Sequence, residues 1–245
     1  MQYSLKAIID SLPAKKNSKS SLWVKLIVRK LSFLFTYVFI NLGFSPWAVS
    51  VLSAVVAVVG SVFLMLPNYA FAVIGMILIQ IWLILDCVDG NIARCKKQSS
   101  ELGLFIDALS GYYVSAFVYL GTGVAAYHFS PFENLRLLFL LLGAVSSISG
   151  ILSRLIHQKY TYTILMLENG SHKLLTPEEE VETKKSFQYL RSRIDKEIGI
   201  SGLFMPFLII AAIFNLFDAI TVFYFLFQVL ALIGVTAIYS LKAKE

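Results

Sequence analysis

The length of its apolar runs limits this chain more than any other feature. Six runs, at about 46–66, 69–93, 102–128, 133–157, 200–215 and 218–241, approach or exceed the length needed to cross roughly 30 Å of hydrocarbon. Only 15% of the 245 residues are charged and 58% are hydrophobic, whereas a soluble domain carries roughly 25% charged residues. A soluble globular enzyme is thereby excluded. An outer-membrane barrel is excluded too, because its strands alternate with a period of two and these runs are continuous. The expected fold is all-α and integral to a membrane, with six transmembrane helices. The fifth run is short and ends at the polar break Asn215-Leu216-Phe217-Asp218, read as a turn.

Charge gives the orientation. With the N-terminus inside, twenty of the 21 Lys and Arg fall on the cytoplasmic side and only Arg136 falls outside, as the positive-inside rule requires. The same rule accounts for the net charge of +6 without a nucleic-acid partner. Both termini are expected in the cytoplasm of a multi-pass protein of the cytoplasmic membrane. The polar first twenty residues show no cleavable signal pattern. Cys87 and Cys95 are expected as free thiols in a reducing compartment.

The chain divides into a cytoplasmic tail (1–21), a segment 22–44, a membrane domain (45–157), a cytoplasmic loop (158–199) and two last helices with a short tail (200–245). Segment 22–44 is apolar but carries Lys25, Arg29 and Lys30 before Gly43 and a Ser45-Pro46 helix start. It reads as an amphipathic interfacial helix with its cations near anionic headgroups. In the loop, Thr176-Pro177-Glu178-Glu179 is a helix-start pattern, so a helix of about five turns is expected after it.

Ionisable residues within a span are expensive and mark function. The second run ends in Asp86-Cys87-Val88-Asp89-Gly90-Asn91-Ile92-Ala93-Arg94, and the third begins near Gly103 and Asp107. Asp86, Asp89, Gly90 and Ala93 lie on one helix face, as do Gly103 and Asp107. Gly90, Ala93 and Gly103 are small enough to admit a close backbone or ligand. Carboxylates facing one another in low dielectric repel unless a cation neutralises them, and a hard divalent ion with oxygen ligands and substrate phosphates does so. Arg94, about 12 Å along the axis from Asp86, is placed to meet a phosphate. Together these residues point to metal-assisted phosphoryl transfer facing the cytoplasm. A salt-bridge network of the three acids with Arg94, Lys96 and Lys97 is the purely structural alternative.

This pattern resembles the CDP-alcohol phosphotransferases (CDP-alcohol phosphatidyltransferases), which share Asp-x2-Asp-Gly-x2-Ala-Arg, seven or eight residues, then Gly-x3-Asp-x3-Asp. Here Asp86, Asp89, Gly90, Ala93, Arg94, Gly103 and Asp107 stand at the matching spacing. The resemblance implies a homodimeric membrane enzyme that transfers an alcohol-phosphate from a CDP-alcohol donor to an acceptor alcohol, lipid or glycan and releases CMP. It implies Mg²⁺ or Mn²⁺ held by Asp86, Asp89 and Asp107. It places Asp89, Gly90, Ala93 and Gly103 around cytidine, Arg94 at the diphosphate and Arg154 on the acceptor side.

One position departs. The last aspartate, a metal ligand and the general base in the family, is here Gly111, which can be neither. Either the enzyme uses another base (Ser110, His157 or Glu101) or an acceptor already ionised, or the chain is a catalytically impaired relative that binds a CDP-alcohol. A substitution made to hold a ground state is the third reading. A transporter is disfavoured, because the acids cluster at one end of the spans and no inverted repeat is evident.

Overall fold

The computed structural model describes residues 3–13, 20–98, 101–170 and 197–242, and among them every regular element is helical. Eight α-helices follow one another: α1 (Leu5–Asp10), α2 (Arg29–Asn41), α3 (Pro46–Met65), α4 (Tyr69–Lys96), α5 (Glu101–Phe129), α6 (Arg136–Gly170), α7 (Met205–Phe214) and α8 (Phe217–Lys242). The expected all-α membrane fold is the one observed. Four helical segments, Pro46–Met65, Tyr69–Lys96, Glu133–Ile164 and Phe217–Leu241, are long and apolar enough to cross a membrane, and Ile200–Phe214 is a shorter apolar segment. The outer surface is itself apolar: Leu137, Leu141, Ile148, Ile213, Leu230 and Ile233 are each more than half exposed. Such a surface suits lipid and not water.

The helix boundaries follow local chemistry. Ser45 caps α3 by accepting from the amide of Ala48 at 3.3 Å, with Pro46 in the first turn. Asn68 caps α4 by accepting from the amide of Ala70 at 2.9 Å. At the other end of α4, Lys97 adopts the left-handed conformation with φ 50°. The amides of Lys97 and Gln98 return to the carbonyls of Arg94 and Ala93, which closes the end of α4. The break at 215–218 is a turn as expected: Asn215 is left-handed at φ 53°, and its side chain donates to the carbonyl of Phe129 at 2.7 Å. Asp218 begins α8 and accepts from Ser130 Oγ at 2.9 Å.

Two helix crossings are set by glycine. A Cβ on Gly75 would lie 2.5 Å from the amide nitrogen of Leu64 and 2.6 Å from the carbonyl of Gly60, and one on Gly143 would lie 2.6 Å from the Cα of Gly123. The first contact joins α3 to α4 and the second α5 to α6, backbone against backbone, as small residues allow in membranes. Tyr119, Phe204 and Tyr224 fill the centre edge to face, and Gln228 donates to the Tyr119 hydroxyl at 2.7 Å.

Three features differ from the sequence reading. Segment 22–44 is helical, but its polar face turns inward. Arg29, Ser32, Thr36 and Ile40 are buried, while Leu31, Leu34, Phe35 and Val38 are exposed. Arg29 is therefore turned into the protein, while Lys25 is half-buried and Lys30 exposed. A helix with lipid on its outer side has no reason to bury its apolar residues, so its polar ones seek partners within the protein. Next, π turns at Val24–Val28 and Ile200–Phe204 interrupt the helices. They lie beside each other, with Ser21 Oγ donating to the carbonyl of Ser201 at 2.6 Å and the Leu22 amide to Glu197 Oε2 at 3.0 Å. Last, α6 runs past 157 to Gly170, which extends it by about 20 Å, and no proline interrupts it. The helix expected after Thr176-Pro177 lies outside the described residues.

The glycine crossings yield a prediction. Gly143→Ala should destabilise the protein by about 1–3 kcal/mol through overpacking, read as a lower thermal unfolding midpoint in detergent. Gly234→Ala, where an added Cβ meets nothing within 4 Å, should leave the midpoint unchanged.

Candidate functional site

The α4–α5 turn brings the expected residues to one end of the bundle. Asp86, Asp89, Gly90 and Ala93 occupy successive turns of one face of α4, while Gly103 and Asp107 lie on the antiparallel α5. Asp89 is buried, at 6% exposure; Asp86, Gly90, Ala93, Arg94 and Gly103 are half-buried, and Asp107 is exposed. Asp89 Oδ2 accepts from Ser50 Oγ at 2.5 Å, a charge-assisted contact that joins α3 to α4. Trp82 Nε1 donates to Ser110 Oγ at 3.0 Å, which ties α4 to α5 one turn deeper.

The basic residues are held by neutral partners. Arg94 Nη2 donates to Asn91 Oδ1 at 2.5 Å, and Lys96 Nζ donates to the carbonyl of Phe44 at 2.8 Å. Asn91 in turn donates to Thr36 Oγ1 at 3.0 Å and to Ser32 Oγ at 3.3 Å. A second layer thus links the site to α2. Neither Cys87 nor Cys95 is in a disulfide, and Cys95 Sγ donates to Ser11 Oγ at 3.5 Å.

Position 111 has a distinctive neighbour. The carbonyl of Gly111 accepts from Arg154 Nη1 at 2.9 Å, and the guanidinium lies 5.8 Å from the centre of the Tyr112 ring. A Cβ at 111 would stand 3.3 Å from that nitrogen. Arg154, expected on the acceptor side, thus reaches α5 from α6 one turn deeper than Asp107. Of the substitute bases, Ser110 is fully buried and accepts from Trp82. His157 Nδ1 shares a 2.5 Å hydrogen bond with the Tyr239 hydroxyl. The side chain of Glu101 lies outside the described residues.

The donor set can be judged by its chemistry. Three carboxylates on adjacent helices are hard oxygen ligands of the kind a divalent cation takes. Among the described residues, no three His, Cys, Asp or Glu side chains already close into a ligand cluster. The sequence reading missed Ser50 and Asn91. Ser50 and Ser53 were visible as hydroxyls three apart in the opening turns of an apolar run, and Asn91 as an amide within a span.

Two comparisons bear on this site. The family model for CDP-alcohol phosphatidyltransferase matches residues 44–176, which carry α3, α4, α5 and α6 and every site residue named above except those on α2 and α8. No curated protein matches the chain.

The Ser50–Asp89 contact is open to test. Ser50→Ala removes a hydrogen bond to a buried carboxylate and should cost about 1.5–3 kcal/mol, seen as a lower unfolding midpoint. Ser50→Thr, which keeps the hydroxyl, should recover most of it.

Proposed function

The chain belongs to the CDP-alcohol phosphatidyltransferase family, and we propose that it moves an alcohol-phosphate or phosphatidyl group from a CDP-alcohol to an acceptor, releasing CMP, in phospholipid or surface-glycan synthesis. The protein works as a homodimer with six spans in the cytoplasmic membrane, its termini and site facing the cytoplasm. The observation that carries this reading is the face of α4. Two acids one turn apart, small residues beside them and an arginine at the helix end share α4, and Gly103 and Asp107 follow in the first turns of α5.

Each residue then has a task. Gly90, Ala93 and Gly103 leave room for the cytidine, with Asp89 beside it in a position fixed by Ser50. Arg94 faces the diphosphate. Mg²⁺ or Mn²⁺ held by Asp86, Asp89 and Asp107 would neutralise the charge that builds as the bond to CMP breaks. The acceptor oxygen forms a bond to the β-phosphorus, the bond to the CMP oxygen breaks, and CMP leaves with that electron pair.

The acceptor's proton is the unusual part. Gly111 cannot take it, and Arg154 donates to the carbonyl of Gly111, the position at which the family pattern has a carboxylate. A cation there favours an acceptor that arrives ionised, a phosphate or carboxylate oxygen, over a neutral hydroxyl. The second reading, a relative that binds a CDP-alcohol without turnover, rests on the same missing carboxylate.

Purified protein with Mg²⁺ or Mn²⁺ and a panel of CDP-alcohols should release CMP. Release only from Gly111→Asp would decide for the impaired relative, and release from neither would remove the transferase reading. Asp107→Asn should abolish metal-dependent binding of a CDP-alcohol; unchanged affinity in a titration would sink the metal assignment.

A further inference from the structure

The polar face of α2 carries a residue that the proposed chemistry leaves without a task. Arg29 lies before the matched residues 44–176, so nothing in the family pattern assigns it. It is 6% exposed. Its Nη2 donates to Ser20 Oγ at 2.9 Å, and its Nε is buried with no hydrogen-bond partner. A guanidinium keeps its charge at any working pH, and a buried charge needs a counter-charge or a full set of partners.

The partner it lacks is shared with a second arginine. Arg94 also has a buried Nε without a partner. Each of the two guanidinium groups lies within the other's electrostatic reach, with Asp89 close to Arg94. The connection between them is built and rigid. Arg94 is held by Asn91, Asn91 by Thr36 and Ser32, and Ser32 Oγ donates to the carbonyl of Arg29 itself at 2.9 Å. Asn91, Ser32 and Thr36 are all fully buried. Two cations within each other's field, each with a buried Nε–H unanswered, offer donors of the kind a tetrahedral oxyanion takes.

We propose that Arg29 and Arg94 form a two-armed clamp for a phosphate group at the junction of α2 and α4, Arg29 being an arm supplied from outside the family's matched region. The phosphate belongs either to the diphosphate of the nucleotide donor or to the headgroup of an anionic lipid reaching in beside α2. The donor assignment rests on the transferase reading above; the clamp itself does not. In the donor case α2 becomes part of the active site, and binding of the nucleotide pins this helix to the bundle.

The test uses the full chain in nanodiscs and two probes. In the first arm, CDP and cytidine are titrated in the presence of Mg²⁺. Arg29→Gln should weaken CDP at least about tenfold, the loss expected for a charged hydrogen bond, and leave cytidine unchanged. Lys6→Gln, an equal change of charge at an exposed residue of α1, should leave both unchanged. In the second arm, unfolding midpoints are compared in phosphatidylcholine and in an equal mixture with phosphatidylglycerol. If phosphatidylglycerol raises the midpoint of the native chain but not of Arg29→Gln, while both bind CDP alike, the clamp holds a lipid phosphate.

Equal CDP affinity together with an equal phosphatidylglycerol response overturns the clamp. If Arg29→Gln does not fold, Arg29→Lys decides in the same two arms. It keeps the charge but loses the Nε donor, so it should lose part of the effect, and native behaviour in both arms overturns the proposal. A native chain that does not bind CDP at all counts against the transferase reading, and the lipid arm then judges the clamp alone.

Discussion

A carboxylate carried into the apolar end of a helical bundle must be met by a donor, and here that demand falls on Asp89. Its contact with Ser50 spans two helices with one of the shortest polar side chains. Such a reach is possible only where backbones run close together, and the Gly60–Gly75 crossing on the same two helices supplies that closeness. The glycines that permit packing in lipid and the acid that serves the site are therefore parts of one arrangement. Widening the crossing would take the hydroxyl away from Asp89 before it touched any residue of the motif.

The same logic governs α2. A helix bounded by lipid on one side and protein on the other turns its apolar residues outward, and its hydroxyls, amide partners and Arg29 inward. Asn91 is the meeting point. Its amide donates toward α2, its carbonyl oxygen accepts from Arg94, and so one side chain couples the position of α2 to the arginine at the end of α4. Movement of α2 is not independent of the site.

The parts legible in the sequence are those governed by local spacing. The face of α4 follows from i, i+3 and i+4 geometry, the start of α3 from Ser45-Pro46, and the turn before α8 from Asn215 and Asp218. The parts that were not legible depend on which way an element faces. The period of α2 is the same whether its cations point to headgroups or to α4, so periodicity could not choose between them. Ser50 was unreadable for a related reason: a lone hydroxyl in a span satisfies itself on its own helix as readily as on a neighbour, and Ser50 Oγ lies within reach of both the carbonyl of Pro46 and Asp89. The π turns at Val24–Val28 and Ile200–Phe204 carry no local signature, since their unusual backbone is stabilised by contacts 175 to 180 residues apart in sequence.

Position 111 shows why replacing one residue changes more than one function. Where the family has an aspartate, this chain has a glycine whose carbonyl receives Arg154. The glycine offers no acid at this point of α5, and the nearest charged group to its missing Cβ is the Arg154 guanidinium. A carboxylate can accept the proton of an attacking hydroxyl; a guanidinium cannot, and instead stabilises an oxygen already ionised. Under the proposed transferase chemistry, the two arrangements would favour different nucleophiles at the same phosphorus.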